Sequence, residues 1–171
     1  MQMTIDTLDI KILKLLTDNA RISWKELGNE LGLSAPAAAE RVHQLQKSGI
    51  IESFTANVSA ESMGLHVIAF VAVSIERPHH RMGFLESVKI LEEVQECHHI
   101  AGDDDYLLKV RCRDNKHLDS VVNEGLKGIP GVIRTRTTIV LSTVKETSRI
   151  PLKLEGPNES QSSGLGNSEG N

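Results

Sequence analysis

The sequence predicts an α+β protein made of two small domains, and three observations predict it. Apolar residues recur at helical spacing in the first fifty residues, which Gly32 and Gly49 divide into helices. Residues 66–144 then alternate between strand-like and helix-like segments in the order β-α-β-β-α-β. That order is typical of a ferredoxin-like antiparallel sheet with two helices on one face. The length of 171 residues is sufficient for two such domains.

The N-terminal part predicts three helices. The first spans residues 4–20, with an apolar stripe of Ile5, Leu8, Ile12, Leu15 and Leu16. Ser23 and Glu26 form a capping box that opens the second helix, and Gly32 ends it. Trp24, Leu27 and Leu31 are predicted to form one face of this second helix.

The third helix begins at a Ser34 cap, runs to about Ser48 and ends at Gly49. Its separation from the second helix by Gly32-Leu33 fits a helix-turn-helix, whose second helix enters the major groove of DNA. A helical wheel places Ala38, Val42 and Leu45 inward. The candidate DNA-contacting residues are the cap and the outward or flanking positions Ser34, Pro36, Ala37, Glu40, Arg41, His43, Gln44 and Lys47.

Three of these side chains suit defined contacts. Gln44 can bond an adenine edge, Arg41 a guanine or a phosphate, and Lys47 a phosphate. The alternative for each is a solvated helix surface, and for Arg41 also an ion pair within or between helices. The few positive charges on this face predict weak affinity for a single site, and hence a need for dimers or larger assemblies.

The predicted elements after the third helix begin with a connecting strand over residues 50–58, and Gly64 marks a domain boundary. The second domain then contains strand 66–76, helix 80–95, strands 96–101 and 105–113, a helix capped by Asp114, and strand 132–144. The predicted domain limits are 1–52 for the helix-turn-helix, 53–64 for the connecting strand and linker, 65–150 for the α/β domain and 151–171 for a tail. Residues 156–171 are polar enough to predict disorder.

The bulk composition excludes several classes of protein. Aromatic residues make up only 3%, so the cores must be aliphatic. Cys97 and Cys112 are too few for a disulfide framework or a four-ligand zinc site, and we interpret them as buried reduced thiols. No apolar run is long enough for a membrane span and no secretion signal opens the chain, so we expect a cytoplasmic protein with no membrane partner. The net charge of −4 does not by itself indicate nucleic-acid binding, which must rest on local geometry.

Two clusters of ligand-type side chains leave alternatives open. Asp103-Asp104-Asp105 is either a tight hairpin or a metal site, although it lacks the alternating spacing of a calcium loop. The pairs His79-His80 and His98-His99 are either ligands or solvated surface, because no cysteine or carboxylate spacing completes a site. We therefore predict no metal, no cofactor and no catalytic residue.

The sequence resembles the Lrp/AsnC (leucine-responsive regulatory protein) family of transcription regulators over roughly residues 4–150. In the first half the resemblance is carried by 8–13 (LDIKIL), 18–21 (DNAR), Glu26-Leu27, Leu33-Ser34, Arg41-Val42, Leu45 and 48–51 (SGII). In the second half it is carried by 102–110 (GDDDYLLKV), 129–132 (IPGV) and 135–137 (TRT). The chain departs from the family at Ala101, where Ser or Thr is usual, and lacks the basic N-terminal extension of some members.

The resemblance implies a winged helix-turn-helix that binds double-stranded DNA, followed by a βαββαβ effector domain. It also implies homodimers that assemble further into tetramers or octamers. The implied effector is a small amino acid held between effector domains by Gly102, Asp103, Asp105, Tyr106, Thr135, Thr137 and Thr138. Carboxylates of the hairpin suit its ammonium group, and hydroxyls of the threonine row suit its carboxylate.

Two other functions share this plan. One is a haem-pathway enzyme resembling sirohaem decarboxylases, which a Soret band in the purified protein would reveal. The other is an amino-acid-binding module without DNA activity, which a gel-shift assay would separate from a regulator.

Overall fold

The computed structural model describes residues 5–152, which fall into two compact units. The first unit contains residues 5–56 together with 147–152, and the second contains residues 57–146. The last six described residues therefore group with the N-terminal helices and not with the sheet. The tail predicted to be disordered, 156–171, lies outside the described residues.

Three helices form the first unit: α1 (Thr7–Asp18), α2 (Trp24–Leu31) and α3 (Ala35–Lys47). The predicted caps are confirmed, because the Ser23 and Ser34 hydroxyls accept hydrogen bonds from the backbone N–H of Glu26 and Ala37. The prediction for α1 was too long at both ends. Asp6 caps its start, and Asn19 adopts extended backbone angles that end it.

The core of this unit confirms the predicted stripe of α3, whose inward residues are at most 1% exposed: Ala38, Val42 and Leu45. They pack with Ile12, Leu13, Leu16 and Leu27, and Leu152 from the C-terminal segment lies against this cluster. Trp24, which was predicted to share a face with Leu27, is 46% exposed, whereas Leu27 is fully buried. Trp24 is the first residue of α2, and the buried side of that helix consists of Leu27 and Gly28.

The strand predicted over residues 50–58 does not form. Among the described residues the sheet contains four strands, all between Val67 and Ile139, and none pairs with this segment. Phe54 and Val58 are 45% and 65% exposed. A strand requires a neighbouring ladder for its backbone groups, and this segment has no such neighbour in the described part of the chain.

The second unit confirms the predicted βαββαβ order. Its strands are β1 (Val67–Ile75), β2 (Val94–His99), β3 (Tyr106–Cys112) and β4 (Val132–Ile139), and its helices are α4 (Arg81–Ile90) and α5 (Asn115–Ser120). The strands form one antiparallel sheet in the order β2-β3-β1-β4. A π-helix over Val121–Leu126 extends α5, with the N–H of Lys127 bonded to the carbonyl of Val122.

Two predicted boundaries in this unit were wrong. The helix predicted to reach residue 95 ends at Ile90, since Leu91 turns to extended angles and β2 begins at Val94. The last strand was predicted to reach residue 144 but ends at Ile139, which pairs with Ala69 close to the start of β1. Beyond that point the partner strand has almost no residues left to pair with.

Both helices cover the same face of the sheet. Alternate residues of β3 are buried beneath them, from Tyr106 to Cys112, together with Val71 and Val73 of β1 and Phe84 of α4. The opposite face, which we call the open face, carries the intervening residues Phe70, Leu107, Lys109, Arg111, Arg134 and Arg136. No helix within residues 5–152 is long and apolar enough to cross a membrane.

Candidate functional site

The turn between α2 and α3 is short, and two glycines allow it. Gly32 ends α2 with φ of 68°, in the left-handed region that glycine adopts at little cost. Gly28 lies so close to the turn that a Cβ there would sit 2.7 Å from the carbonyl oxygen of Leu33. These contacts place the Ser34 cap directly after the turn and set the direction in which α3 leaves it.

The outward face of α3 is exposed as the helical wheel predicts. The exposed candidates are Ser34, Pro36, Ala37, Glu40, His43, Gln44 and Lys47. The Gln44 amide donates to the Glu40 carboxylate over 2.5 Å, so this amide is oriented along the helix surface. These exposed candidates carry one hydroxyl, one carboxylate, one imidazole, one amide and one ammonium group.

Arg41 differs from the other candidates because its guanidinium is engaged within the protein. Its Nη1 atom lies 2.9 Å from Asp6 and 2.6 Å from Asp9. The Asp9 side chain is only 2% exposed, whereas that of Arg41 is 37% exposed. The ion pair between helices, one of the interpretations open from sequence, is the arrangement in the structure.

Sequence reasoning missed the two carboxylates that receive Arg41. Asp6 and Asp9 form a reciprocal capping box at the start of α1. The pKa of Asp6 is held below its ordinary value by the backbone N–H of Asp9 and then by Arg41. The spacing Asp6-x-x-Asp9 before an apolar stripe was the signal that would have identified them.

The three aspartates between β2 and β3 lie in three different environments. Asp104 is buried and accepts hydrogen bonds from Ser74 over 2.8 Å, Arg134 over 3.0 Å and Arg136 over 2.7 Å. The Ser74 hydroxyl first, and then the two arginines, lower the pKa of Asp104. Asp105 accepts the Ile75 N–H over 2.7 Å, whereas Asp103 is exposed. Asp104, which sequence reasoning left out of the site, therefore fastens the hairpin to β1 and β4.

A cavity of about 200 Å³ opens beside this hairpin. It is lined by Ile75, Glu76, Arg77, Pro78, Arg81, His99, Asp105 and Tyr106. The Tyr106 hydroxyl is buried and has no hydrogen-bond partner among the described residues, and the Arg81 guanidinium lies 6.0 Å from the centre of the tyrosine ring. We call this space the hairpin cavity; it combines positive, negative and hydroxyl groups.

The predicted threonine row does not face the hairpin cavity within one chain. Thr135 and Thr137 line a second cavity of about 330 Å³ between α5 and β4, which also includes Asp119 and Lys127. Thr138 pairs with Phe70 and lies on the open face. Gly102 and Asp103 line neither cavity. A single chain thus divides the predicted effector residues among several surfaces.

The histidines and cysteines do not form a metal centre in the part of the chain that the structure describes. Within residues 5–152 there is no group of three or more His, Cys, Asp or Glu side chains arranged to hold an ion. Cys97 and Cys112 are free, and burial raises the pKa of both thiols. His98 pairs with Glu96 over 3.1 Å, and His79 packs against His80.

Family comparisons match both units. Residues 5–46 match the AsnC-type helix-turn-helix domain, and residues 68–150 match the Lrp/AsnC ligand binding domain. The leucine-responsive regulatory proteins of Escherichia coli K12 and Klebsiella pneumoniae are each 37% identical over 151 residues, covering 87% of this chain and 92% of theirs.

Solved structures agree with this result. A transcriptional regulator of Neisseria meningitidis in complex with L-methionine is 35% identical, with a TM-score of 0.83 over 87% of this chain and 97% of that one. AsnC of E. coli is 29% identical, with a TM-score of 0.82 over 87% and 100%. The feast or famine regulatory protein of M. tuberculosis complexed with L-methionine is 28% identical, with a TM-score of 0.80 over 88% and 100%. With both domains, their order and their fold matched, this chain belongs to the Lrp/AsnC family of transcription regulators.

Proposed function

We propose that this regulator binds specific DNA sequences through α3 and responds to a small amino acid at the hairpin cavity. One observation carries the DNA-binding half of the proposal. Helix α3 buries Ala38, Val42 and Leu45 and leaves an exposed polar face behind a three-residue turn, the geometry in which a helix enters the major groove. The protein acts in the cytoplasm on double-stranded DNA.

Two exposed residues of α3 have different roles in DNA recognition. Gln44 reads a base edge, and Lys47 at the end of the helix neutralises a phosphate. Loss of Lys47 removes one phosphate contact and lowers affinity for all sequences alike, whereas loss of Gln44 relaxes discrimination at one base pair.

A duplex selected from a random library by the wild-type protein tests this division. Gln44→Ala is expected to lose preference between the selected duplex and its single-base variants. Lys47→Ala is expected to weaken binding uniformly and to reduce the salt slope by about one. Lys116→Ala, an exposed change in the second unit, serves as the control. Failure to enrich any sequence, or equal effects of all three changes, contradicts the proposal.

The chemistry of the hairpin cavity suits an amino acid. Arg77 and Arg81 supply donors for a carboxylate, and Glu76 and Asp105 supply oxygens for an ammonium group. Tyr106 adds a buried hydroxyl that lacks a partner among the described residues. Two structural neighbours are complexes with L-methionine, which supports an amino acid as the class of ligand.

A thermal-shift screen of the twenty amino acids tests the site, since a ligand that prefers the native state raises Tm. Asp105→Asn keeps an oxygen for the Ile75 N–H but loses the charge, and is expected to abolish the shift. Asp119→Ala, which changes the second cavity, is expected to retain it. The reverse pattern moves the site to the second cavity, and no shift at millimolar concentration contradicts an amino-acid effector.

We also propose that two chains pair through the open face and that the dimers assemble further into tetramers or octamers. A sheet covered by helices on one side leaves its other side to be covered, and Phe70 on this face is 38% exposed. Sedimentation of the full chain is expected to show a dimer or larger species that Phe70→Glu weakens. Met82→Glu on α4, at a residue 66% exposed, is the control. A wild-type monomer, or equal effects of both changes, contradicts pairing through this face.

A further inference from the structure

We infer that Arg41 is a positioning residue of the recognition helix, and that specific DNA binding depends through it on Asp9, an acidic residue of another helix. This inference rests on the proposed role of α3 in binding DNA. It replaces the direct contact to a guanine or a phosphate that the sequence left open for Arg41.

The hydrogen bonds around Arg41 show how the two helices are joined. Each aspartate uses one carboxylate oxygen for the capping box: Oδ1 of Asp6 accepts the Asp9 N–H, and Oδ2 of Asp9 accepts the Asp6 N–H. The second oxygen of each accepts from Nη1 of Arg41, over 2.9 Å for Asp6 and 2.6 Å for Asp9. The guanidinium therefore completes the N-terminal cap of α1 from a position 32 residues away in sequence.

Burial makes this contact selective for an arginine in this place. Asp9 is 1% exposed, and a buried carboxylate that loses its cationic partner is strongly unfavourable. An arginine can donate two hydrogen bonds from one planar nitrogen to two acceptors in fixed directions, whereas lysine offers a flexible point charge. The ion pair therefore holds α3 at one rotation about its axis relative to α1.

That rotation decides which side chains face outward. Arg41 lies between Glu40 and Val42, and Gln44 is one turn further along the same helix. If Arg41 loses its two acceptors, α3 can turn or shift on its small inner face of Ala38, Val42 and Leu45, and Gln44 moves away from its base. The loss then affects specific binding, while general attraction to phosphates remains.

The test relies on Asp9, because a purely electrostatic role and a positioning role predict opposite changes in DNA affinity when this acid is removed. Removing an acid near DNA strengthens binding by simple electrostatics, whereas a positioning role weakens it. The probe is the duplex selected by the wild-type full-length protein, compared with a scrambled duplex of the same composition. Asp9→Asn is expected to lower the preference for the selected duplex about tenfold, with affinity for the scrambled duplex unchanged or slightly higher.

Arg41→Lys and Asp6→Asn complete the design. Lysine keeps the charge but not the fork, so Arg41→Lys is expected to lose preference as Asp9→Asn does. Asn caps a helix about as well as Asp, so Asp6→Asn remains folded and is expected to lose preference by a smaller factor, about threefold. Glu30→Gln removes an exposed acid elsewhere in the unit and is expected to lose none.

The outcomes separate clearly. If Asp9→Asn and Asp6→Asn bind the selected duplex as well as wild type or better, or if Arg41→Lys retains full preference, the inference is overturned. If binding of both duplexes falls in parallel with helix content, the effect is unfolding, which also overturns it. If the wild type selects no duplex, the proposed function fails first, and the inference fails with it.

Discussion

The Arg41 guanidinium on α3 lies 2.6 Å from the buried carboxylate of Asp9 on α1. This pair links the start of the first helix to the middle of the third, across 32 residues of sequence. In a unit whose core is small and aliphatic, such a contact contributes to stability as well as to the orientation of α3.

Replacing Arg41 with alanine is expected to destabilise the first unit. A fully buried pair costs more to break, but Arg41 is partly exposed, so we expect a loss of about 1–2 kcal/mol in the free energy of unfolding. Urea denaturation followed by circular dichroism measures it. Lys25→Ala, at an exposed position on α2, provides the reference, and an equal effect of the two changes contradicts a stabilising role for the ion pair.

The capping box of α2 gives a second test. The Ser23 hydroxyl accepts the Glu26 N–H over 3.2 Å, and the Glu26 carboxylate accepts the Ser23 N–H over 3.0 Å. Ser23→Ala is expected to cost about 1 kcal/mol of stability, and Ser23→Asn much less, because asparagine also caps well. Thermal unfolding compares the two. Equal losses point to a role of the serine other than capping.

Acid is expected to loosen the hairpin through Asp104. Its pKa is lowered in the folded state by Ser74, Arg134 and Arg136, so its contribution to stability is complete above the ordinary pKa of an aspartate. The contribution is lost as the pH falls from there through the lowered folded pKa.

Thermal unfolding of wild type and Asp104→Asn measures this contribution. The two proteins are expected to differ by a constant amount at pH 5 to 7 and to converge below about pH 4. Asp103→Asn, at an exposed position of the same hairpin, is expected to follow the wild type. A difference between wild type and Asp104→Asn that does not change with pH contradicts the assignment.

The C-terminal segment 147–152 is expected to stabilise the helical unit. Leu152 packs against the helical core, and Arg149 pairs with Asp18 over 2.6 Å at the surface. Removing residues 147–171 is expected to lower the free energy of unfolding by about 1 kcal/mol, chiefly through the apolar contact. Removing only residues 156–171 is expected to change neither stability nor assembly. Chemical denaturation and sedimentation of both truncations test this, and equal stability of the two contradicts it.

The elements that depend on near neighbours could be predicted from the amino-acid sequence alone. The cap at Ser23 and the left-handed end at Gly32 involve residues only a few positions apart, so sequence spacing is sufficient to predict both. The inward stripe of α3 follows from helical periodicity. For the same reason the order of strands and helices was predictable, whereas the family was indicated by the resemblance of short motifs in both halves of the chain.

Contacts between residues far apart in the sequence could not be predicted, because they depend on how the helices and strands pack. In the folded chain, Arg41 pairs with Asp9 and Asp6, and the buried Asp104 accepts hydrogen bonds from Ser74 and Arg136. These partners are 30 residues or more apart in the sequence. Periodicity within one element carries no information about such partners, because each depends on how separate elements pack.

Packing between strands also determines where each strand ends and on which face of the sheet each threonine lies. Strand β4 stops two residues before the start of β1, where almost no partner remains for it. Thr135 and Thr138 fall on opposite faces because strand side chains alternate. The segment 50–58 has strand-like composition but no neighbouring ladder in the described chain. A β-strand is a property of two segments, whereas a capped helix is largely a property of one.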